Sequence, residues 1–509
     1  MDALAALSDI RAALGGLLPE AVLTGGLVAV LLLGQVRRVA RWVPWLTAAV
    51  LVGAAAALAA QPDRAAFFQQ MLLTDGPARA GGVLAALAGL LSLALLPRTD
   101  HDADPKFLIS HSAFLIPLTL GAFLLARVVH GIGLVLAVEL ISIPSYALVL
   151  VRAGGGEKGR RDDKAAARAA LNYVLLGAVA TGALLYGLSL LYGLTGSLHF
   201  ATEAFWRHLA EAPMAPVLLA LGLVLAGLLF KLGAAPLHFW APDAYQAAPL
   251  PVALLLSTAP KLATVVVLWR FHEAATALLP AAAAGAVGNL FTGAALLSLV
   301  VGTLGGLGQT DVRRLLAYSS IAQAGFLLLA IRAGGAAGPA PVLLYAGFLL
   351  LANGATFAAI SFFENRKQQY ATVGAGLAPG APGRAESYSG LGRRFPLPAV
   401  ALTLGMVALT GLPPTVGFPA KLLAFTALWQ ADASVLGRAL LGAGLAATVA
   451  SLFFYLRVPY WLWLRPPTDV AATSGNVSGR RAALLAAVLA ALTVAAFVKS
   501  EWLLAMLDR

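Results

Sequence analysis

The chain has 509 residues, of which 60% are hydrophobic and 11% charged, with a formal net charge of +12. Globular domains carry about 25% charged residues, so this composition excludes a soluble globular protein and indicates that lipid surrounds most of the chain. Cysteine is absent, which excludes disulfides, thiolate-held iron–sulfur clusters and cysteine-based zinc sites within the chain.

Long charge-poor runs predict membrane-spanning helices, each of which needs about 20 apolar residues. Fourteen candidate spans are centred near residues 28, 51, 88, 116, 141, 181, 225, 260, 295, 322, 351, 414, 447 and 491. We expect the first run to be a retained helix and not a signal peptide, because Asp2 and Asp9 precede it in place of a basic region. The predicted fold class is an all-α polytopic membrane protein with about 14 transmembrane helices.

Basic residues are unequally divided between the two sets of connections. With the N-terminus outside, the inner connections hold more than twice as many Lys and Arg residues as the outer ones. Because cytoplasmic loops are enriched in basic residues, we predict that both termini lie on the non-cytoplasmic side. The positive net charge then reflects topology, and no nucleic acid is expected as a partner.

Four ionisable residues lie inside predicted spans, where a charge costs at least about 2.5 kcal/mol and marks a functional site by default. The first in chain order is Glu139, which precedes the kink-forming Pro144 in the same span. The second is Lys231, followed at once by Gly233 and Pro236, which predict a helix break. Non-helical backbone at membrane depth survives where it is buried or lines a wet cavity.

Two further lysines complete the set. Lys261 follows Pro260 near the middle of its span, and Lys421 follows a second predicted break with Gly411 and Pro414. The break comes after Lys231 but before Lys421, an order that favours two broken helices in inverted repeats, as in transporters. His238, at the end of the first break, is a candidate proton acceptor. The alternatives are a structural Glu139 ion pair, a Lys231 that reaches the membrane surface, and a structural His238.

Three segments resemble the antiporter-like membrane subunits of NADH-quinone oxidoreductase (respiratory complex I). The first signature segment is 231–263, beginning Lys-Leu-Gly-Ala-Ala-Pro-Leu-His. The second is 309–325, with Arg-Arg-Leu-Leu-Ala-Tyr-Ser-Ser-Ile-Ala-Gln, and the third is 411–421, Gly-Leu-Pro-Pro-Thr-Val-Gly-Phe-Pro-Ala-Lys. Tyr245-Gln246 within the first segment is similar to the subunit N group of that family.

The resemblance implies a role for each charged residue. Glu139 and Lys231 would form the coupling pair, and Lys261 and Lys421 match the other membrane lysines of the family. Our own hypothesis for the order is that the proton passes from Lys231 through Lys261, with His238 as a further candidate, to Lys421, which releases it. One departure is Asn172, which stands where the family commonly has a lysine.

The resemblance also implies four parts of the chain. These are N-terminal helices (1–104), a first antiporter-like repeat (105–275, broken near 231–238), a second repeat (283–465, broken near 411–421) and a C-terminal helix (480–509). A Gly- and Pro-rich connection at 364–395 is expected to be an irregular linker.

The implied function is proton translocation within NADH:quinone oxidoreductase, in the cell (inner) membrane. The chain would hold no cofactor and no metal itself, because electron transfer occurs in partner subunits. Its partners would be the other membrane and peripheral subunits and the lipid bilayer, with quinone involved only indirectly. Three alternatives stay open: a subunit of a multi-subunit Na+/H+ antiporter, a membrane hydrogenase subunit, and a scaffold whose charges only assemble the complex.

Overall fold

The computed structural model describes residues 15–36, 39–63, 65–67, 70–96, 104–151, 159–334, 338–372, 384–466 and 479–499. The helices of the first half are α1 Leu18–Gly34, α2 Val43–Ala59, α3 Gly76–Ala94, α4 Pro105–Arg127, α5 Gly131–Leu150, α6 Gly159–Thr195, α7 Glu203–Glu211, α8 Met214–Leu232, α9 Trp240–Ala247 and α10 Leu250–Leu278. Those of the second half are α11 Ala281–Leu307, α12 Val312–Arg332, α13 Ala340–Thr372, α14 Leu391–Arg394, α15 Pro396–Thr410, α16 Gly417–Ala431, α17 Val435–Tyr455, α18 Arg457–Leu464 and α19 Arg480–Val498.

The helices confirm the predicted all-α polytopic class. Within the described ranges, twelve helical segments are long and apolar enough to span a membrane. Two more apolar helices, α1 and α15, have 17 and 15 residues, fewer than the ~20 of a full span. The count of fourteen spans therefore stays a prediction.

A short β-hairpin is an addition to the helical elements expected from the sequence. Strands β1 Ala65–Phe67 and β2 Leu72–Thr74 pair antiparallel in the connection between α2 and α3. The side chain of Arg127, at the end of α4, donates to Thr74 Oγ1 at 3.1 Å and forms a buried ion pair with Glu20 at 2.5 Å. This buried guanidinium thus links the hairpin to α1 and α4, next to the backbone bridge between Leu72 and Val128.

The chain divides into two compact units, residues 1–233 with 247–291 and residues 234–246 with 292–509. In the first unit α10 is the most buried span, packed against α3, α4 and α8. In the second unit α12 and α13 are the most buried, and α13 packs against α15, α16 and α19. The four-part division drawn from the sequence stays a prediction.

The connection expected at 364–395 begins later than the sequence suggested. Helix α13 continues to Thr372, so the first residues of the expected linker are helical. One reason is an ion pair between Glu364 and Arg313 of α12, which ties this end of α13 to the bundle. Residues 373–383 of the linker lie outside the described part of the chain, and 384–394 hold a 3₁₀ turn and α14.

Candidate functional site

The first predicted helix break is present in the structure. Helix α8 ends at Leu232, and Gly233 follows in the left-handed region with φ +68°. A residue with a Cβ is strained in that conformation, whereas glycine is not. A cis peptide bond joins Ala235 to Pro236, and the chain becomes helical again at Trp240. The glycine and proline that predicted the break are the residues that shape it.

Lys231 lies one residue before the end of α8, with a 2% exposed side chain. Its Nζ has no hydrogen-bond partner among the residues that the structure describes. Instead, it lies 5.6 Å from the ring centroid of Tyr146 and 5.9 Å from that of Phe230. Tyr146 in turn packs edge-to-face on Tyr173, with ring centroids 4.5 Å apart. Lys231 therefore points into an aromatic cage made by α5, α6 and α8.

Glu139 lies half-buried in the middle of α5. Its Oε1 accepts a hydrogen bond from Thr181 Oγ1 of α6 at 2.6 Å. The carboxylate acts on the charge of Lys231 through space, but it is not a hydrogen-bond acceptor of the lysine. Glu139 and Tyr146 both line a cavity of about 670 Å³ between α5 and α6, whose other walls are mainly apolar. The cavity places the predicted acid beside the cage that holds Lys231.

Two cage residues were not identified from the sequence. Tyr146 follows Glu139 by seven positions, which places both on one face of α5 two turns apart, and this spacing is the signal that could have found it. Tyr173 stands next to Asn172, the departure from the family pattern, and its ring packs on both Tyr146 and Phe230. In α6 an aromatic ring thus faces the Lys231 region.

Lys261 is buried in α10, and its Nζ donates to the carbonyl oxygen of Leu232 at 2.6 Å. Leu232 is the last residue of α8, where backbone carbonyls lack partners within the helix. A cation at this end also compensates the negative end of the helix dipole. Lys261 therefore caps the broken helix one residue away from Lys231, and the structure brings these two predicted residues together.

The second predicted break is also present. Helix α15 ends at Thr410, Gly411 adopts φ +86°, a cis peptide joins Pro413 to Pro414, and α16 begins at Gly417. The side chain of Lys421 returns from α16 to the break. The two half-helices are therefore linked by a lysine as well as by the chain.

The Lys421 ammonium group has two hydrogen-bond acceptors and one aromatic ring as partners. Its Nζ donates to Thr410 O at 2.8 Å and to Thr448 Oγ1 at 3.5 Å. It also lies 4.0 Å from the ring centroid of Phe326, a close cation–π contact. The lysine is 3% exposed. Lys421 is thus a buried but well-partnered cation.

A polar network beside Lys421 was not identified from the sequence. Gln323 of α12 donates through Nε2 to Leu409 O at 2.8 Å and to the Tyr455 hydroxyl at 3.1 Å. Its Oε1 accepts from the Tyr345 hydroxyl at 2.5 Å. The Tyr455 hydroxyl also shares a hydrogen bond with Ser319. The signal available in the sequence was the spacing of Ser319 and Gln323, one turn apart on α12.

His238 lies in the first break, within the second unit. It packs on Phe239 with ring centroids 4.4 Å apart and is bonded to the backbone of Pro236. Among the hydrogen bonds of the described residues, none joins His238 to Lys421. Its predicted place in a proton relay stays a prediction.

The first and second signature segments contact each other through the short helix α9. Arg314 of α12 pairs with Asp243 at 2.6 Å and donates to Gln246 Oε1 at 3.1 Å. The Tyr245 hydroxyl shares a hydrogen bond with Ser320 at 3.0 Å. Tyr245-Gln246, singled out as a subgroup pattern, therefore fixes α9 to α12. No set of three metal-ligating side chains is clustered in the described ranges.

Comparison with known proteins gives a consistent result. Residues 128–446 match the model of the membrane protein family described as NADH:quinone oxidoreductase/Mrp antiporter. The chain is 34% identical to NADH-quinone oxidoreductase subunit N 2 of Chloroherpeton thalassium, over 84% of this chain and 78% of that one. It is 35% identical to NADH-quinone oxidoreductase subunit N of Halorhodospira halophila, over 80% and 79%.

A solved structure extends the likeness to the fold. A chain of respiratory complex I from Thermus thermophilus, determined with bound aureothin, superposes with a TM-score of 0.75 at 31% identity. The alignment covers 96% of this chain and 98% of the other. Nearly the whole chain, including both broken helices, therefore lies within the matched region.

Proposed function

This chain belongs to the NADH:quinone oxidoreductase/Mrp antiporter family of membrane proteins, and we propose that Lys231, Lys261 and Lys421 carry its proton translocation. It is a proton-translocating membrane subunit of an NADH:quinone oxidoreductase, like the subunit N proteins that it resembles. The observation that carries the assignment of residues is the buried ammonium of Lys231, which has no hydrogen-bond partner among the described residues and lies within range of the charge on Glu139.

The aromatic cage makes the charge of Lys231 dependent on its neighbour. Burial disfavours an ammonium ion, and a nearby carboxylate favours it. The rings of Tyr146 and Phe230 stabilise a cation weakly, by about 0.5–2 kcal/mol per contact. Glu139 therefore controls proton binding at Lys231 electrostatically, across Tyr146, and movement or neutralisation of the acid releases the proton.

Lys261, in its neutral amine form, is the acceptor that we assign to that proton within the same unit. Its Nζ is fixed on the carbonyl of Leu232, next in the chain to Lys231. A proton that leaves Lys231 thus has an amine anchored at the adjacent residue. Lys421 is the corresponding amine of the second unit, and His238 is a candidate station between them along the chain. We assign uptake to the cytoplasmic side and release to the opposite side.

The remaining parts of the proposal concern the assembly. Electron transfer takes place in partner subunits, this chain holds no cofactor, and its partners are the other membrane and peripheral subunits of the complex. The protein lies in the cell membrane with both termini on the non-cytoplasmic side. The excess of Lys and Arg in one set of connections supports this orientation.

The test is proton pumping by the purified complex. A complex isolated through an affinity tag on this chain is reconstituted into vesicles and supplied with NADH and quinone, and proton uptake is followed with a pH-sensitive dye. We expect Lys231→Met to lower pumping at least about tenfold without loss of assembly, because it removes the titrating amine. Lys106→Met, which changes an exposed lysine of α4, is the matched control and should pump normally.

Two results would contradict the proposal. Full pumping by an assembled Lys231→Met complex would remove that residue from the proton path. An isolated complex without flavin and without NADH oxidation, whose loss causes sodium sensitivity in cells, would instead support the Na+/H+ antiporter alternative.

A further inference from the structure

We propose that Gln323 is a positioning residue for Lys421: it fixes the carbonyl end of α15 and the ring on which the lysine ammonium rests. The inference rests on the proposed function of Lys421 in proton transfer. None of the hydrogen bonds of the described residues joins Gln323 to Lys421, so the effect that we propose passes through the groups between them.

The first connection runs through the end of α15. The last carbonyls of a helix have no partners within the helix. Here the N–H groups of Gly411 and Leu412 return to Val407 and Ala408. The next two carbonyls are taken by side chains, Leu409 O by Gln323 at 2.8 Å and Thr410 O by Lys421 at 2.8 Å. Gln323 and Lys421 therefore hold adjacent peptide groups.

The second connection runs through aromatic rings. The Tyr345 hydroxyl donates to Gln323 Oε1, and the Tyr345 ring stacks on Phe326 with ring centroids 6.2 Å apart and 24° between their planes. Phe326 is the ring that lies 4.0 Å from Lys421 Nζ. The two connections start at the two ends of one amide group and both reach the same ammonium.

The chemistry of the position requires an amide. Nε2 faces two oxygen acceptors, Leu409 O and the Tyr455 hydroxyl, while Oε1 faces the Tyr345 hydroxyl as donor. These partners fix the orientation of the amide, because a carbonyl oxygen can only accept. Gln323 is 2% exposed, so water does not replace a lost partner. An apolar residue here would leave a carbonyl and two hydroxyls without this bond.

Three titratable groups face this site from the helices packed against α12. They are Lys421 from α16, Tyr345 from α13 and Tyr455 from α17, while α15 contributes the Leu409 carbonyl. A carboxyl group placed at position 323 would add an acid to this network of Lys421, Tyr345 and Tyr455. When neutral it donates one hydrogen bond, and when ionised it donates none.

The experiment compares pH profiles of NADH-driven proton pumping in the reconstituted complex. The variants are Gln323→Leu and Gln323→Glu. The control is Thr426→Val, which removes a hydroxyl that bonds only to the backbone of α16. We expect Gln323→Leu to assemble and to pump at least about fivefold more slowly. We expect Gln323→Glu to pump at low pH, where the carboxyl group is neutral. The pH at which it loses activity should lie at least about one unit below the pH at which the wild type does. An ionised carboxylate no longer donates a hydrogen bond, and its negative charge makes Lys421 hold its proton more tightly.

Each outcome decides. A Gln323→Glu complex with the wild-type profile would overturn the proposal, and so would an assembled Gln323→Leu complex that pumps normally. If Gln323→Leu does not assemble, the Gln323→Glu profile alone gives the answer. Failure of the proposed function is seen separately, because an assembled Lys231→Met or Lys421→Met complex would then pump normally, whatever the Gln323 variants do.

Discussion

The two broken helices share one local plan but use their lysines differently. In both, a helix ends at a glycine with positive φ, a cis proline follows three residues later, and a lysine binds the last helical carbonyl. In the second unit that lysine, Lys421, belongs to the broken helix itself. In the first unit the carbonyl is bound by Lys261 from another span, and the helix's own Lys231 enters an aromatic cage.

The same task at the end of a broken helix can thus be given to a lysine of that helix or to a lysine of another span. In the second unit one lysine, Lys421, stabilises the helix end and is also the proposed proton carrier, so it cannot leave its carbonyl without loss of stability. In the first unit Lys261 stabilises the end, which leaves Lys231 unconstrained by hydrogen bonds to described residues. The first unit, where Lys261 rather than Lys231 binds the helix end, is therefore the one in which a lysine is suited to respond to a change in charge at Glu139.

The strongest test of this comparison replaces each lysine with methionine, which is one atom shorter and keeps an unbranched apolar side chain without the amine. Lys261→Met and Lys421→Met leave a buried carbonyl unpaired, and each should lower the free energy of unfolding by about 1–3 kcal/mol. Lys231→Met should leave it unchanged or raise it, because no hydrogen bond is lost and a buried charge is removed. Thermal unfolding of the detergent-solubilised complex measures the order. A Lys231→Met complex with the lowest unfolding temperature of the three would contradict the different roles assigned to these lysines.

A second test concerns the glycine at the second break. Gly411→Ala places an L side chain at φ +86°, which costs about 1–2 kcal/mol, and its Cβ would lie 2.6 Å from Lys421 Cδ. We expect a lower unfolding temperature together with reduced pumping. Gly347→Ala is the control: a Cβ there meets nothing within 4 Å in helix α13, and the change should be neutral or slightly stabilising. Equal effects of the two substitutions would contradict the close packing of Lys421 on the break.

The smallest expected difference lies in the helix caps. His130 Nδ1 accepts from the backbone N–H of Ile132 and so caps α5, the helix of Glu139, whereas Ser434 caps α17 of the second unit. Burial, together with His199, lowers the pKa of His130 from 6.5. Because the folded state binds this proton less readily than the unfolded state, the neutral imidazole contributes to the free energy of unfolding. This contribution is fully present above pH 6.5 and is lost as the pH falls through the folded-state pKa of His130.

His130→Asn keeps a capping acceptor that does not titrate. Between pH 7.5 and about pH 5 the unfolding temperature should fall for both complexes. We expect the fall to be larger for the wild type than for this variant, by on the order of 1 °C. Identical pH dependence of the two complexes would show that the cap of α5 does not respond to protons.

Much of the site could be predicted because its residues break a simple pattern. Glu139 and the three lysines are charges inside apolar runs, and the glycines and prolines of both breaks interrupt helical sequence. The partners of these residues could not be predicted, because they depend on tertiary packing. A tyrosine such as Tyr146 in an apolar helix resembles an ordinary core residue, and nothing local shows that Lys261 binds the end of α8.

The same limits apply to the fold. The apolar runs locate the spans, but a hairpin of two three-residue strands carries too little periodicity to be recognised. The sequence predicts the end of α13 too early because Gly and Pro are dense further along the connection. The Glu364–Arg313 ion pair, which holds α13 to α12 near this end, is a long-range contact that no local pattern indicates.

The attachment of α9 to α12 has a consequence for recombination between sister genes. A crossover that falls between residues 247 and 312 would combine an α9 from one parent with an α12 from another. Arg314 would then face a foreign Asp243 position, and Ser320 a foreign Tyr245 position, although these partners are separated by about seventy residues of chain. Functional hybrids should therefore inherit both helices from the same ancestor.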